Sequence, residues 1–365
     1  MNFASTAAIV RNLRNFLVLN VNYRRKREFI PYHRHTLCIE TSSICNLKCR
    51  FCAYDKKKSA RVNMTNDSFC DYVRQATGLG FSRFQLTPCT GDIFMDRQIF
   101  EKLEFLEADR DVSSYEFFTN FTIPTAADID RLAGLAKLSG LTVSIYGHDL
   151  DSFVAITQST EKVYRRLIDN LETLLAHRDR FGKKLAVGFR SYRKLPKDAS
   201  SDLLDLLERF RAVDIPVTVS RLYNNWGGYI TNDDVRGLDI QISESDSTYK
   251  KGACTMLFSR VQVTAAGIVN GCACRDVDQA LRIGDLNQQP LREILSTRNE
   301  AYMQLIHEQQ QGHFRDVCRN CDFYKSIYRR RSAYKNMAQP LVTLEQFTDS
   351  LTEQEPTPAQ VPAAA

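Results

Sequence analysis

Long apolar runs are absent from this sequence, and so is a signal peptide. No segment approaches the ~20 apolar residues that a membrane-spanning helix needs, so we expect no transmembrane segment. The 365 residues are 43% hydrophobic and 25% charged, which is typical of a globular protein. The 49 basic and 43 acidic residues leave a net charge of +6, too small an excess to indicate a nucleic-acid partner. We therefore expect a cytoplasmic protein that binds no DNA.

The cysteines lack the pattern of a disulfide framework. Such frameworks are expected mainly in short secreted chains, whereas this chain is long and has an odd number of cysteines, 11. Most of them fall into two groups, which indicates metal binding in a reducing compartment. The groups are Cys45, Cys49 and Cys52, and then Cys254, Cys272, Cys274, Cys318 and Cys321. The others, expected to be buried small apolar residues, are Cys38, Cys70 and Cys89.

Both ends of the chain are biased in composition. The first 27 residues contain no acidic residue, as in organelle-targeting segments and in helices that lie on membranes. We favour a plainer interpretation, in which residues 1–35 form a basic amphipathic helix that closes one end of the domain. Residues 326–365 are expected to be an extension that is disordered from about residue 340, because this end is rich in Pro, Ala and Glu.

Short apolar segments alternate with amphipathic helical patterns between residues 36 and 225. The six predicted strands are TLCIET, FSRFQLT, YEFFTN, LTVSIY, KLAVGF and VTVSRL. Strands that alternate with helices form parallel sheets. The predicted fold class is therefore α/β, with a partial (β/α)6 TIM-like barrel over residues 36–228.

A smaller unit is predicted after the barrel. Residues 229–250 lose the apolar periodicity and are predicted to be a linker. The segment SRVQVTAAGIVNGCAC then predicts a β-hairpin around Ala265, Ala266 and Gly267, and a helical pattern follows from about residue 291 to 310. Together with the last two cysteines, these elements define a hairpin-and-helix domain over residues 251–325.

Polar residues follow each of the six predicted strands. In parallel α/β folds the active site lies at the carboxyl ends of the strands, so we expect these residues to form one site. In chain order they are the first cysteine group, residues 89–92, Thr119 and Asn120, Ser144, residues 190–192, and residues 224–228.

The first cysteine group, in CNLKCRFC, has the spacing Cys-x3-Cys-x2-Cys. A thioredoxin-like redox pair would not need Cys45. A structural zinc site would need a fourth ligand, such as His33 or His35, and usually comes in paired knuckles. A [4Fe–4S] cluster held by three thiolates leaves one iron whose coordination a bound small molecule completes, so three cysteines suffice.

The motif CNLKCRFC resembles the signature of the radical S-adenosylmethionine (SAM) enzymes, with the aromatic Phe51 before its last cysteine. In this family SAM chelates the unique iron of the cluster and is cleaved reductively to a 5′-deoxyadenosyl radical, which abstracts a hydrogen atom from the substrate. The resemblance implies SAM and a [4Fe–4S] cluster as cofactors, and a reducing partner such as flavodoxin or ferredoxin.

The resemblance also implies further contacts to SAM. The segment TGD stands in place of the family's Gly-Gly-Glu stretch, which binds the SAM amino group, although Asp92 is shorter than Glu. Polar groups after the third and fourth strands commonly meet the SAM ribose or carboxylate, and the guanidinium of Arg190 suits a carboxylate geometrically. The residues concerned are Thr90, Gly91, Asp92, Asn120, Ser144 and Arg190.

The second cysteine group resembles the twitch domain, the short form of the SPASM domain that many radical SAM enzymes carry. Twelve residues separate Cys254 from Gly267, and four separate Gly267 from Cys272. The resemblance implies one auxiliary [4Fe–4S] cluster, because no cysteine follows Cys321. A closed zinc site is the alternative. The expected cluster ligands are Cys254, Cys272, Cys318 and Cys321, with Cys274 as the rival of Cys272.

A second cluster beside a radical site favours a two-electron oxidation of the substrate. Relatives of this kind include dehydrogenases of sugar-like rings and peptide-modifying enzymes, and the latter often carry an N-terminal winged helix of about 80 residues. Only about 35 residues precede the first predicted strand. We therefore expect a small polar or carbohydrate-like substrate. Peptide maturation or epimerisation, RNA modification and a zinc-stabilised binding module are the alternatives.

The expected oxidation needs a proton acceptor near the substrate carbon. Arg221 and Tyr223, at the end of the sixth strand, are the candidate catalytic residues. Tyr192 and His148 follow the fifth and fourth strands and are further candidates. Trp226, the only tryptophan, is expected to line the mouth of the barrel or to join it to the second domain.

Overall fold

The structure, a computed structural model, describes residues 3–31, 35–86, 89–195, 199–244, 249–335 and 340–352, with side chains from residue 13 onward. The strands are β1 (Ile30–Pro31), β2 (Thr36–Ile39), β3 (Arg83–Gln85), β4 (Ser114–Thr119), β5 (Leu138–Tyr146), β6 (Leu185–Arg190), β7 (Val217–Ser220), β8 (Gln262–Val263), β9 (Ile268–Asn270), β10 (Arg282–Asp285) and β11 (Leu341–Val342). The helices are α1 (Phe3–Arg24), α2 (Asn66–Gly78), α3 (Ile99–Ala108), α4 (Ala126–Ala133), α5 (Leu150–Thr157), α6 (Glu161–Ala176), α7 (Arg178–Phe181), α8 (Asp202–Ala212), α9 (Met256–Ser259), α10 (Leu291–Ile294), α11 (Glu300–Gln311), α12 (Asp316–Arg319) and α13 (Leu344–Thr352).

Nine strands form one sheet, in the order β10-β9-β8-β2-β3-β4-β5-β6-β7. Neighbours from β2 to β7 are all parallel, and helices connect them. The six predicted strands and the α/β fold class are therefore confirmed. The hairpin β8–β9 is antiparallel, and β8 pairs in parallel with β2. The small C-terminal domain thus extends the sheet of the barrel, which the sequence did not predict.

The two faces of the sheet differ in burial. Along β5 and β6 alternate residues are fully buried and pack in the main hydrophobic core. Because side chains alternate between faces, Ser144, Tyr146 and Arg190 lie together on the opposite, half-buried face. Gly188 pairs with Ser144 on this face, and a Cβ at Gly188 would meet no atom closer than 3.9 Å. This open face leaves room for a ligand.

The N-terminal helix α1 packs on the C-terminal domain. The Asn22 side chain donates to the Tyr328 carbonyl at 2.9 Å, and the Tyr23 hydroxyl donates to the Gln310 carbonyl at 3.2 Å. A helix therefore forms where the sequence predicted one, and it contacts the C-terminal domain. Within the described residues, no helix is long and apolar enough to cross a membrane.

The C-terminal segment is structured further than the sequence predicted. Disorder was expected from about residue 340, but β11 pairs antiparallel with β1, and α13 buries Phe347 and Leu351. The Phe347 ring packs edge-on against Phe258, with ring centroids 4.9 Å apart. Two apolar residues four positions apart are enough to dock this short helix. The remaining residues, 353–365, lie outside the described ranges.

Candidate active site

The loop that carries the first cysteine group, residues 40–57, is held from two sides; we name it the triplet loop. The Arg50 amide donates to the carbonyl of Ile156 at the end of α5, at 2.9 Å. The Arg50 guanidinium donates to the carbonyls of Asp234 and Arg236, at 3.1 and 2.9 Å. The loop is therefore fixed by a barrel helix and by the segment that the sequence predicted to be a linker.

Residues 229–244 form a packed cover over the triplet loop. This segment has no regular helix or strand, yet several of its apolar side chains are buried around Phe51 and Tyr223. Lys56 forms an ion pair with Asp234 at 2.6 Å. The prediction of a linker is wrong for these residues, because irregular chain can bury apolar side chains without any periodicity. The buried residues of the cover are Ile230, Val235, Ile240 and Ile242.

The three cysteines of the triplet loop lie close together, and each is half-buried. Burial raises the pKa of Cys45 to about 12, with Asp92 adding to it, and burial raises the pKa of Cys52 to about 11. The pKa of Cys49 is raised well above its ordinary value, mainly by burial and then by the charges of Cys52 and Cys45. Metal binding therefore has to release protons here, since the thiolate is the ligand.

Asn120 lies beside the first thiol. Its Nδ2 is 3.9 Å from Cys45 Sγ and donates to Asn46 Oδ1 at 2.9 Å. The Leu47 amide donates to the same sulfur at 3.4 Å. Hydrogen bonds to the sulfurs are one of the means by which proteins tune iron–sulfur clusters. The structure thus brings this predicted SAM-binding residue to the cysteine group.

The TGD segment packs directly against the triplet loop. Gly91 has φ +119°, and a Cβ there would come within 2.8 Å of the Ser42 carbonyl oxygen, so only glycine permits this approach. The Asp92 amide donates to the Ile44 carbonyl at 2.8 Å. Residues 90–92 therefore lie against the backbone of the cysteine loop.

The Asp92 carboxylate is engaged within its own chain. It accepts from the Phe94 amide at 3.0 Å, the Thr119 hydroxyl at 2.9 Å and the Asn120 amide at 2.7 Å. Burial raises the pKa of Asp92, against these hydrogen bonds. The carboxylate therefore positions the end of β4, and its oxygens are engaged within the chain.

Phe51 is the centre of an aromatic group beside the cysteines. Its ring lies 4.8 Å from Tyr146 and 4.6 Å from Tyr223, measured between centroids. The Arg190 guanidinium lies 6.0 Å from the Tyr223 ring centroid. Tyr223 is therefore part of the packing that connects the cysteine loop to the open face of β5 and β6, on which Ser144 also lies.

Neither predicted catalytic residue is placed as a proton acceptor. The Tyr223 hydroxyl donates to the Ser191 carbonyl at 3.2 Å, and burial raises its pKa further above its ordinary value. Arg221 is exposed at the surface. Nearby, His148 Nδ1 lies 2.8 Å from the Ser191 hydroxyl, and its ring packs against Tyr192. The position after a strand did not reveal which way these side chains point.

The segment NNWGG joins the triplet loop to the C-terminal domain. Trp226 Nε1 donates to the Phe51 carbonyl at 2.9 Å, and Asn225 Nδ2 donates to the Asn320 carbonyl at 2.7 Å. Gly227 has φ +65° and leaves no space for a Cβ. Of the two roles considered for Trp226, the structure favours the connection between domains. The two cysteine groups are thus tied together through one short segment.

All five cysteines of the second group line a single cavity; we name it the five-cysteine cavity. Four of the sulfurs accept hydrogen bonds, three of them from residues other than arginine: Cys254 accepts from the Lys325 amide at 3.5 Å, Cys318 from the Gln309 side chain at 3.2 Å, and Cys321 from the Phe323 amide at 3.2 Å. Such a donor set around an open space fits a thiolate-bound cluster.

Cys272 and Cys274 differ in their surroundings. Cys272 lies among Cys254, Cys274 and Cys318, whose charges add to the effect of burial and raise its pKa. Cys274 instead accepts a hydrogen bond from the neighbouring Arg275 guanidinium at 3.2 Å. The geometry therefore favours Cys272 as the fourth ligand, in agreement with the Gly-x4-Cys spacing.

The zinc alternative receives no support from the described part of the chain. No three or more His, Cys, Asp or Glu side chains there could hold one metal ion. A closed zinc site needs four ligands about 2–2.3 Å from a single ion, whereas the thiolates of a [4Fe–4S] cluster bind different irons and stand farther apart. His35 Nδ1 lies 3.2 Å from the Gly80 carbonyl, and His33 lies outside the described residues.

A second, small cavity lies between the triplet loop and the hairpin β8–β9; we name it the polar cavity. Glu40 and Lys57, both 5% exposed, line it together with Cys89, which was predicted to be buried and is half-buried. Cys38 is buried as predicted, and Cys70 is half-buried. Sequence reasoning missed Glu40 and Lys57, although an acid directly after a buried strand was an available signal.

Glu40 is expected to make the folding stability depend on pH. Burial raises its pKa from 4.5 to about 7, against hydrogen bonds from the Ala265 and Cys89 amides and the charge of Lys57. At a pH between these two pKa values, the Glu40 carboxyl group loses its proton in the unfolded chain but keeps it in the folded chain. The stability of the fold therefore decreases as the pH rises. Replacing Glu40 by Gln is expected to remove this loss of stability. The free energy of unfolding should therefore rise by about 3 kcal/mol at pH 8 and stay unchanged near pH 4.

Urea unfolding of the cluster-free chain at pH 4 and pH 8 measures the effect of Glu40→Gln. The matched control is Glu104→Gln, because Glu104 is a surface acid on α3. A gain in stability that is the same at both pH values would contradict the raised pKa.

Comparisons with known proteins identify the fold and the second domain. Residues 254–322 match the family model of the SPASM domain, an iron–sulfur cluster-binding domain. Three radical SAM enzymes of known structure also align with the chain. BtrN in complex with AdoMet and 2-DOIA aligns with a TM-score of 0.53 and 16% identity, over 80% of this chain and 94% of BtrN.

The other two enzymes align over a similar length. SuiB of Streptococcus suis, bound to precursor peptide SuiA, has a TM-score of 0.53 and 14% identity over 86% of this chain and 76% of SuiB. The enzyme anSMEcpe with bound AdoMet has a TM-score of 0.50 and 14% identity over 87% of this chain and 96% of that enzyme.

The chain has the radical SAM fold and a SPASM-type iron–sulfur domain. The resemblance inferred from the two cysteine groups is therefore confirmed. SAM and iron–sulfur clusters are the cofactors that this fold and domain indicate, and the cysteines present fit them. No curated protein matches the chain by sequence, and identities of 14–16% establish the fold alone.

Proposed function

We propose that this protein is a radical SAM oxidoreductase, which abstracts a hydrogen atom from a small polar or carbohydrate-like substrate and completes a two-electron oxidation. When bound, SAM and a reduced [4Fe–4S] cluster supply a 5′-deoxyadenosyl radical, and an auxiliary cluster supplies an acceptor for the second electron. The observation that supports this most is the polar cavity, which has the triplet loop on one side and the wall of the five-cysteine cavity on the other.

The proposed ligands follow the two cysteine groups. Cys45, Cys49 and Cys52 would hold the cluster that binds SAM, and the apolar cluster that includes the cover packs against Cys49 and Cys52. The hydrogen bonds from backbone and side-chain N–H groups to three sulfurs of the second group would stabilise thiolates there. The proposed ligands of the auxiliary cluster are Cys254, Cys272, Cys318 and Cys321.

The proposed SAM site runs along the carboxyl ends of the strands. The backbone of residues 90–92 would bind the amino group of SAM, since the Asp92 carboxylate is already engaged. Asn120 would contact SAM beside the first cysteine, and Ser144 and Arg190 would contact it from the open face of β5 and β6. A one-electron donor such as flavodoxin or ferredoxin is a further proposed partner.

Peptide modification is the second candidate function. SuiB, which aligns with 86% of this chain, was solved with a precursor peptide. In addition, Phe118 lies on the open face of β4 and is 46% exposed, so it would offer an apolar contact to a peptide side chain.

Deuterium transfer distinguishes the two candidates. The reconstituted protein, reduced with dithionite, is incubated with SAM and either perdeuterated polyols and amino sugars or deuterated peptides. We expect deuterium in the 5′-deoxyadenosine from the polyol or amino-sugar mixtures, detected by mass spectrometry, together with a carbonyl product. Label that appears only from the peptides would favour the second candidate, and no cleavage of SAM under any condition would overturn both.

A further inference from the structure

One face of the helix α1 is held against the C-terminal part of the chain. The Lys251 ammonium lies 3.9 Å from the centroid of the Tyr23 ring, and the Phe16 ring packs against Tyr249 with centroids 4.7 Å apart. Leu19 is buried and belongs to the main hydrophobic core. These contacts fix the rotation of the helix about its axis, so they also fix which of its side chains face outward.

The outward face of α1 carries a row of exposed aliphatic side chains, Leu13, Leu17 and Val21; we name it the apolar row. These residues are 58%, 54% and 45% exposed, although side chains of this kind are usually buried. Residues four positions apart lie above one another on a helix, so the three form one continuous strip. Apolar residues scattered singly over a surface are ordinary, whereas a contiguous strip indicates an interaction surface.

A basic group follows the apolar row. Its exposed members, which we name the basic end, are Arg24, Arg25, Lys26 and Arg27. Arg24 lies three positions after Val21, which places it on the same face of the helix. A second basic run, residues 329–331, begins close by, because the Asn22 side chain donates to the carbonyl of Tyr328. The fold thus brings positive charge from both ends of the chain to one place.

The nearest acid in the sequence is occupied elsewhere. The first 27 residues contain no acidic residue. Glu28 comes next, and its carboxylate accepts from the Tyr328 hydroxyl at 3.1 Å and from the Leu344 amide at 2.7 Å. The helix therefore presents aliphatic side chains and positive charge on one outward surface. This combination is typical of helices that lie in the interface of a membrane, where cations meet anionic headgroups and aliphatic side chains reach the acyl chains.

We propose that the apolar row and the basic end bind this protein to the surface of a membrane that contains anionic phospholipids, with α1 lying along the bilayer. The proposal does not rest on the proposed function, since it uses none of the residues assigned to SAM or to the clusters. A nucleic acid would match the charge but leave the apolar row in water. A second copy of α1 would cover the row but bring only further cations, because residues 1–27 contain no acid.

Cosedimentation of the cluster-loaded protein with sucrose-filled vesicles tests the proposal. One set of vesicles consists of phosphatidylcholine alone, and the other of phosphatidylcholine and phosphatidylglycerol in equal parts. We expect the protein to bind the anionic vesicles at least tenfold more tightly than the neutral ones, because several cations act together near the charged surface. About 0.5 M salt is expected to remove most of this difference, since it screens surface charges.

Two double variants locate the membrane-binding surface. Leu17→Gln with Val21→Gln removes most of the apolar row, and glutamine keeps the helix because it is a good helix former. Arg24→Gln with Arg25→Gln removes half of the charge of the basic end. Each double variant is expected to weaken binding to the anionic vesicles at least tenfold. Cluster absorption and circular dichroism establish that each variant is folded.

The matched controls are double variants of the same chemistry elsewhere on the surface. Val219 and Leu222 are 49% and 58% exposed, so Val219→Gln with Leu222→Gln matches the change in the apolar row. Arg97 and Arg110 are exposed on the barrel, so Arg97→Gln with Arg110→Gln matches the change in charge. Both controls are expected to bind the anionic vesicles as the wild type does.

Several results would overturn the proposal. These are absence of binding to the anionic vesicles, equal binding to both kinds of vesicle, and unchanged binding by both test variants. Binding of transfer RNA in place of vesicles, lost only in the arginine variant, would assign the basic end to a nucleic acid. A dimer in place of vesicle binding, detected by analytical ultracentrifugation and lost in the Leu17→Gln, Val21→Gln protein, would assign the apolar row to a second copy.

Discussion

Replacing Cys45, Cys49 and Cys52 together by alanine is expected to halve the iron of the reconstituted protein and to abolish cleavage of SAM. Two [4Fe–4S] clusters correspond to about eight irons per chain, and the variant would retain about four. The physical reason is that the variant loop offers no thiolate to a cluster, whereas the second cysteine group is unchanged. Iron analysis and chromatography of 5′-deoxyadenosine measure both effects.

The matched control for the triplet variant is Cys70→Ala. Cys70 lies on α2, half-buried and away from both cysteine groups, so its removal is expected to change neither the iron content nor the cleavage of SAM. Undiminished SAM cleavage by the triplet variant would contradict the assignment of this loop. A variant that lost all of its iron would instead show that the two cysteine groups depend on each other for folding.

Cys272→Ala is expected to remove the auxiliary cluster, and Cys274→Ala is expected to retain it. Cys272 lies among the cysteines of the five-cysteine cavity, and its carbonyl is fixed by the Asn270 side chain at 2.9 Å. Cys274 is instead bound by Arg275, which in turn pairs with Asp322 at 3.1 Å. Iron content is therefore expected to fall from about eight to about four per chain in the first variant only.

Electron paramagnetic resonance of the reduced proteins provides the second measurement for this pair of variants. The signal of the auxiliary cluster is expected to disappear in Cys272→Ala and to persist in Cys274→Ala. Because the two cysteines are two positions apart in one loop, each variant is the control of the other for general effects on the loop. The opposite pattern would assign Cys274 as the ligand.

The order of the strands and the cysteine loops could be predicted from the sequence because both depend on local patterns. Each barrel strand is a short apolar segment between amphipathic helices, and strands of this kind form a parallel sheet with one topology. The hairpin turn at Gly267 is local in the same sense, since its φ of +82° favours glycine.

The errors arose where a residue's role depends on distant contacts. The cover, residues 229–244, has no periodic pattern of apolar residues in its sequence. Its buried side chains pack around Phe51 and Tyr223 and do not form one face of a helix or strand. Tyr223 was predicted to be catalytic from its position after a strand, but the direction of its hydroxyl depends on Ser191 across the sheet. The helix α13 was predicted to be disordered because its composition gave no sign of the surface that it packs on.

The sequence by itself determined the chemistry of the two cysteine sites, since the spacing of Cys45, Cys49 and Cys52 fixes how many thiolates one loop can offer to a metal. Only the tertiary structure decided what lies between the sites. Glu40 and Ala265 are 225 positions apart and become hydrogen-bonded neighbours through the pairing of β2 with β8. The burial that raises the pKa of Glu40 exists only after this pairing has formed, because burial is a property of the folded chain and not of the residue.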